Sequence, residues 1–276
     1  ESGKTYRVAL RGLERGDSFC SCPDFRRNTL GTCKHLLHVL GKVQRKFSKA
    51  SLRRPYRRKQ ISLSVGYGET LSFRLRLPVD CDGEAAALAE RVAKARVDSR
   101  HAVKLLEVIR KIEQAGHDVQ IYPDAEQLID GLMLRRRLSR LCAAIRRDPA
   151  GHKLRQSLLR VELLPYQLDG IAFAVAAGRA ILADDMGLGK TIQAIGTAEL
   201  LARQTDIRRV LVVCPASVKS QWVHEIGRFS DRSAKTVVGP AAKRSQEYGG
   251  EQFFTVCNYE QVLRDLTAIE AHQWDL

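Results

Sequence analysis

No apolar run in this 276-residue chain approaches the ~20 residues that a membrane-spanning helix needs, so a helical membrane span is excluded and no membrane partner is expected. No secretory signal opens the chain, because the segment after Glu1 is polar. An initiating methionine is missing and the chain stops at Trp274-Asp275-Leu276, so it reads as a piece of a longer protein. Cysteines are few: seven, an odd number, three of them within fourteen residues and Cys81, Cys142, Cys214 and Cys257 scattered. That distribution argues for reduced thiols rather than a disulfide framework. Acidic residues are scarce where the chain begins. Residues 1–60 hold 16 Lys/Arg against 4 Asp/Glu, a net of +12, whereas residues 61–150 and 151–276 carry only +2 and +1. Such an excess is the electrostatic footprint of a polyanion, most often nucleic acid, or else a solvated basic tail. The rest of the composition is ordinary. With 44% hydrophobic and 28% charged residues the chain is that of a soluble globular protein, and its length suggests two domains or three small ones.

The stretch that organises the chain covers residues 180–197. Ala180, Ile181, Leu182 and Ala183 have the composition of a short buried parallel strand. Asp184, Asp185, Met186, Gly187, Leu188, Gly189 and Lys190 then make a tight glycine-bearing loop, and Thr191, Ile192, Ala194, Ile195, Ala198 and Leu201 recur at helical spacing. Strand, glycine loop and helix in that order make a phosphate-binding loop. Glycine admits the backbone close to phosphates, and a helix N-terminus offers unpaired N–H groups and the positive end of its dipole. Lys190 would reach the β- and γ-phosphates of a nucleotide, and the Thr191 hydroxyl would ligate Mg²⁺. The strict motif wants a further glycine where Asp184 stands. An ordinary strand-to-helix turn is the competing reading; against it, all three elements fall where the motif needs them.

Upstream, residues 6–10 have strand composition and residues 11–17 that of a polar turn. Then F-C-S-C-P-D-F and C-K-H-L-L-H-V-L bring Cys20, Cys22, Cys33 and His35 together within sixteen residues. Three thiolates and an imidazole suit tetrahedral Zn²⁺, and with all four positions filled the site would be structural. His38, one helical turn after His35, is the competing fourth ligand. The spacing C-x-C-x(n)-C-x-H resembles the SWIM zinc finger over about residues 5–40, which implies DNA or protein binding. Nine Lys/Arg interleaved with Phe47 and Tyr56 follow over residues 42–59, either a DNA-tracking linker or a basic connector.

The middle of the chain carries no catalytic spacing. Alternating Ile61, Leu63, Val65 and Leu71, Phe73, Leu75, Leu77 read as a β-hairpin with Arg74 and Arg76 on its outer face. A helical region over about residues 84–115 is broken near Asp98-Ser99 by a cap and stopped by Gly116. A strand is expected over residues 119–122. Asp124 with Gln127 reads as a capping box opening a helix that Asp148-Pro149 ends. This region is a scaffold or connector.

From Leu163 the signals are dense again: L-L-P-Y-Q-L-D-G-I, then D-D-M-G-L-G-K-T, V-L-V-V-C-P-A-S-V-K-S-Q-W-V-H-E-I, and F-F-T-V-C-N-Y-E-Q-V-L-R-D. Residues 210–214 and 253–257 are continuous apolar runs, as buried parallel strands are, each followed by a helical pattern. Strands alternating with helices around a phosphate loop predict a doubly wound α/β domain with ligands at the strand carboxyl ends. The four blocks, in this order, resemble the Swi/Snf family of helicase-like ATPases in superfamily two, over about residues 160–276. That superfamily tolerates other residues where Asp184 stands, and some bacterial members carry an N-terminal SWIM finger.

The resemblance implies an α/β fold: an incomplete first RecA-like lobe with a parallel sheet (156–276), preceded by a zinc finger (1–45), a basic linker (46–60) and an α+β connector (61–155). It implies Gln167 as the adenine-reading residue, Lys190 and Thr191 as phosphate lysine and Mg²⁺ ligand, and ATP, Mg²⁺ and Zn²⁺ as cofactors. Pro215 and Ser217, with Lys219 just beyond, and Asn258 with Tyr259 would face a DNA backbone; Ser217 also suits a helix N-cap. The partner implied is double-stranded DNA, with a protein partner possible through the finger. The family's catalytic Asp-Glu pair occurs nowhere in the chain, so these residues are expected to bind nucleotide without hydrolysing it efficiently. The pairing of finger and motor points to a cytoplasmic, nucleoid-associated bacterial or archaeal protein, or a nuclear one in a eukaryote.

Overall fold

The computed structural model describes residues 5–28, 30–54, 58–79, 81, 83–90 and 97–276. They fall into two units, Glu1–Arg136 and Arg137–Leu276. In the first, β1 (Val8–Ala9) pairs antiparallel with β2 (Phe19–Cys20). Helices α1 (Pro23–Arg27) and α2 (Lys34–Lys46) follow, and the short α3 (Lys49–Arg53) lies within the basic stretch. Residues 55–57, Tyr56 among them, lie outside the described residues. A three-stranded sheet comes next, in the order β4 (Ser72–Arg76), β3 (Ile61–Gly66), β5 (Val119–Ile121); β3–β4 is the expected hairpin and β5 joins β3 in parallel.

The expected helical region is α4 (Gly83–Glu90) and α5 (Ser99–Gln114), with residues 91–96 outside the described residues. Asp98 caps α5, accepting from the His101 amide at 2.7 Å. Gly116, at φ +90°, lets the chain turn out of the helix. Ala102, Leu105, Ile109 and Ile112 recur at helical spacing on the buried face of α5; Leu105 and Ile109 pack against Leu63, Val65 and Phe73 of the hairpin, and Ile112 against Ile61 and Ala85. Full burial of Leu63 and Leu105 in the first cluster and of Ile112 in the second stabilises this unit by roughly 1.5–3 kcal/mol each.

One expectation for this unit is refined and one corrected. Arg74 and Arg76 stand opposite the core-facing Phe73 as expected, but they do not stand free: both pair with Asp17 of the finger, with 37% and 21% of their side chains still exposed. Asp124 does not cap the helix it opens, α6 (Pro123–Arg147). Its carboxylate instead takes two hydrogen bonds from Arg11, at 2.8 and 2.5 Å, and one from the Tyr67 hydroxyl at 2.8 Å. Charge-assisted bonds to a guanidinium outweigh a single bond to a backbone amide.

The second unit continues with α7 (Leu154–Ser157), α8 (Pro165–Ala177) and α9 (Lys190–Gln204). Strand β6 (Val210–Cys214), helix α10 (Lys219–Phe229), β7 (Ala234–Thr236), α11 (Ala241–Glu247), β8 (Phe254–Asn258), α12 (Tyr259–Arg264) and α13 (Leu266–Glu270) complete it. The sheet order is β6-β8-β7 and every pairing is parallel, so the unit is mixed α/β as expected. Helices α8 and α9 approach closely at Gly170 and Gly196. A Cβ there would lie 2.0 Å from Gln193 Oε1 and 2.4 Å from Ile171 Cδ1 respectively.

The strand expected over residues 180–183 is not formed. The stretch is irregular, and Ile181 is 88% exposed. An apolar tetrad becomes a strand only beside a strand that can pair with it. The edge of β6 turned away from β8 is engaged by Asp275 and Leu276, with Leu211 N donating to Leu276 O at 2.9 Å. Among the described residues no helix is long and apolar enough to cross a membrane.

Candidate functional site

Cys20, Cys22, Cys33 and His35 converge in the finger. Cys20 closes β2, Cys22 sits at the N-cap of α1, and Cys33 at the N-cap of α2, one residue before the turn that carries His35. Their ligand atoms all lie within 4.8 Å of one another, close to the roughly 3.5–3.8 Å separations around a tetrahedral zinc. His35 Nδ1 is 3.9 Å from both Cys20 Sγ and Cys33 Sγ, and the Tyr6 ring lies against its imidazole. The three sulfurs belong to residues at most 4% exposed, packed with Phe25 and Leu36. Burial pushes the Cys20 thiol up to about 12, so a thiolate there needs a cation beside it. Donor types, number and spacing fit Zn²⁺. His38, the competing ligand, is exposed and outside the cluster.

The glycine loop stands at the N-terminus of α9, with Gly187 at φ +84° and Gly189 at φ +79° in the left-handed region. Thr191 follows Lys190 in the first helical turn. The Lys190 ammonium donates to the carbonyls of Asp184 at 2.7 Å and Asp185 at 2.9 Å, so the loop closes on its own lysine. Asp185, Met186 and Leu188 are exposed, Met186 to 89%. Gln167 lies in the first turn of α8. Its Oε1 accepts from the Leu164 amide at 3.0 Å, while its Nε2 reaches Leu188 O at 3.4 Å. It is therefore buried against the phosphate loop, 2.6 Å from where a Cβ on Gly189 would stand. Positive-φ glycines, a lysine and a hydroxyl at a helix N-terminus are the residue types a magnesium nucleotide requires.

Two residues near the loop escaped the sequence reading. Gln193, fully buried on α9, donates to Asp184 Oδ2 at 2.6 Å, and its Oε1 has no hydrogen-bond partner among the described residues. The Tyr166 hydroxyl donates to Leu188 O at 3.2 Å. Gln193 lies one helical turn past Lys190, and that spacing was the available signal.

The two expected DNA-facing segments emerge side by side. Strands β6 and β8 are adjacent and parallel, with Cys214 opposite Asn258, so Pro215 and Ser217 leave the same sheet end as Asn258 and Tyr259. Pro215, Ser217 and Tyr259 are exposed. Ser217 sits in a 3-10 turn and does not cap α10, whose N-cap position is Val218. Lys219 is placed differently: its ammonium donates to Val237 O at 2.9 Å and to Gln261 Oε1 at 3.2 Å. Gln261 also accepts from the Asn258 amide at 3.0 Å and donates to Val237 O at 3.0 Å, a hub whose signal in the sequence was the capping-box spacing Asn258-x-x-Gln261. Behind α12, Arg244 grips Asp265 with two bonds of 2.6 Å and holds its carboxyl below the usual carboxylate range.

The family model described as the SNF2-related domain matches residues 104–276. The human "DNA annealing helicase and endonuclease ZRANB3" is 46% identical over 72 residues, 26% of this chain and 6% of that protein. The Xenopus tropicalis "SWI/SNF-related matrix-associated actin-dependent regulator of chromatin subfamily A-like protein 1" is 47% identical over 74 residues, 26% and 8% of the two chains. The mouse "Chromodomain-helicase-DNA-binding protein 1-like" is 35% identical over 130 residues, 43% of this chain and 14% of that one. Each match thus spans only a small part of the relative. The solved Sulfolobus solfataricus SWI2/SNF2 ATPase core in complex with double-stranded DNA aligns at a TM-score of 0.38 and 30% identity, over 42% of this chain and 25% of that one. With the match extending over well more than half its length, the chain belongs to the SNF2-related domain family.

Proposed function

We propose that this chain is part of an ATP-driven motor that translocates on double-stranded DNA and remodels protein–DNA contacts. The observation that carries the reading is the Gly187–Gly189 loop with Lys190 and Thr191 at the N-terminus of α9, in a chain of the SNF2-related family. Lys190 would exchange its two carbonyl partners for β- and γ-phosphate oxygens, Thr191 would hold Mg²⁺, and Gln167 would read the adenine from α8. ATP would supply the phosphoanhydride, and its binding and hydrolysis would open and close two lobes. Pro215, Ser217, Asn258 and Tyr259 would meet the DNA backbone from one sheet end, with Gln261 and Lys219 fixing that end. The SWIM-type finger would hold Zn²⁺ through Cys20, Cys22, Cys33 and His35 and anchor DNA or a protein partner. Its place of work would be wherever the DNA is, a nucleoid or a nucleus.

Phosphoryl transfer to water needs a carboxylate on the metal and a group that orients the water. The chain has no Asp-Glu pair, so on this reading its residues bind nucleotide without hydrolysing it efficiently. The self-bonded lysine favours a second reading, a zinc-dependent binding module on a non-catalytic nucleotide fold. Steady-state ATP hydrolysis with and without duplex DNA, by a protein in which these residues are joined to both complete lobes, separates the two. The motor reading expects duplex stimulation that Lys190→Ala abolishes. A folded, zinc-loaded protein that hydrolyses nothing under either condition is the binding module.

A further inference from the structure

A cavity of about 520 Å³ lies in the first unit, between the finger and the β3–β4 hairpin, within the size range of ligand sites. Its floor is aromatic: Phe19, Phe25 and Tyr67 meet with ring centroids 4.7 to 6.2 Å apart, and Phe19 and Tyr67 are only half-buried. Arg26 and Arg135 line it while remaining exposed. Its one lining carboxylate, Asp124, is already engaged by Arg11 and Tyr67. The cleft therefore offers apolar ring surface, two guanidinium groups and no free acid.

We infer that this cleft receives an unpaired base of a nucleic-acid strand, with the base against the aromatic floor and the flanking phosphates on Arg26 and Arg135. Every base has a π-face, so aromatic platforms hold single strands whatever their sequence, and guanidinium groups match phosphate bidentately. A duplex keeps its bases stacked inside, so the cleft favours single strands. Its cationic lining, with Arg26 in the first sixty residues, where net charge is +12, and Arg135 on α6, suits a polyanion better than a neutral peptide. The inference rests on the DNA-directed reading above but uses residues remote in sequence from the phosphate loop.

The test uses the full zinc-loaded chain, a single-stranded oligonucleotide carrying a fluorescent aminopurine base that is quenched on stacking, and the duplex of the same sequence. Gly68 lines the cleft, and a Cβ there meets only Thr70 O, at 4.0 Å, so Gly68→Glu inserts a carboxylate without displacing the fold. The second variant combines Arg26→Gln with Arg135→Gln. Expected are quenching with the wild type and a fall of about tenfold or more in single-strand affinity in each variant, with duplex affinity within about twofold. Unquenched aminopurine, or variants that melt and bind single strands like the wild type, would overturn the inference and leave a peptide as the occupant. An equal loss of duplex affinity overturns it too, assigning the arginines to backbone tracking. Binding of an ATP analogue is read in parallel. Its failure with base quenching intact sinks the motor reading alone, and the reverse result sinks the cleft alone.

Discussion

In the finger, three sulfurs belong to residues at most 4% exposed and the four ligand atoms lie within 4.8 Å of one another. In the phosphate loop, Met186 is 89% exposed and the key ammonium is held by two carbonyls of its own loop. Both sites are assembled from fewer than twenty consecutive residues, and the difference between them is in what surrounds those residues. Three of the four candidate ligands are part of a small core with Phe25 and Leu36, so under the proposed zinc reading metal binding and folding would be one event. The loop lies outside the cores, where a lysine can change partners without disturbing packed side chains. A site that keeps its ligand is built inward, and one that exchanges its ligand is built outward.

The largest effect that would break this comparison is expected at the zinc cluster. Cys33→Ser removes one of four ligands, and structural zinc contributes an apparent ~10–16 kcal/mol in small fingers at neutral pH. Zinc retention measured by elemental analysis should fall well below one per chain, with loss of the finger's near-ultraviolet signal. Full zinc retention would mean that His38 or another donor takes over.

Next is the buried pair that ties the finger to the start of α6. Asp124→Asn leaves Arg11, itself almost fully buried, without its counter-charge, a change that costs about 3–5 kcal/mol and is readable in urea unfolding. Burial alone would raise the Asp124 carboxyl, but the hydrogen bonds from Arg11 and Tyr67 outweigh it and hold the group below its ordinary 3.8. The pair's contribution is therefore complete above pH 3.8 and lost as pH falls through the lower folded value. In Asp124→Asn that acid-side loss should be absent.

This pair also marks where legibility ended. The convergence of Cys20, Cys22, Cys33 and His35, the Asp98 cap and the β3–β4 hairpin were readable because each depends on residues close in sequence. Arg11 and Asp124 are 113 positions apart, and a residue suited to a helix cap is equally suited to a buried salt bridge. Asp17 with Arg74 and Arg76 escaped for the same reason: alternation tells which face a side chain takes, not what covers that face. Residues 180–183 failed differently. Their composition is that of a strand, but strandedness needs a neighbour, which composition does not supply.

The smallest effects sharpen the comparison inside the loop. Gly187 and Gly189 both have positive φ, yet a Cβ on Gly187 meets nothing within 4 Å while one on Gly189 falls 2.6 Å from Gln167 Nε2 and 2.9 Å from Ile192 Cγ2. Gly187→Ala should destabilise the chain by about 1 kcal/mol and Gly189→Ala by about twice that, compared by thermal melting. Equal effects would show that backbone conformation alone decides.

The most direct measurement is calorimetric titration of this chain with magnesium ATP, wild type against Lys190→Ala, with the melting temperature of each recorded. The account predicts that the substitution weakens nucleotide binding by about 10- to 100-fold, the loss of a charge-assisted contact, and leaves the melting temperature unchanged. Equal affinities in the two proteins would contradict it, because the loop would then not be where the phosphates bind.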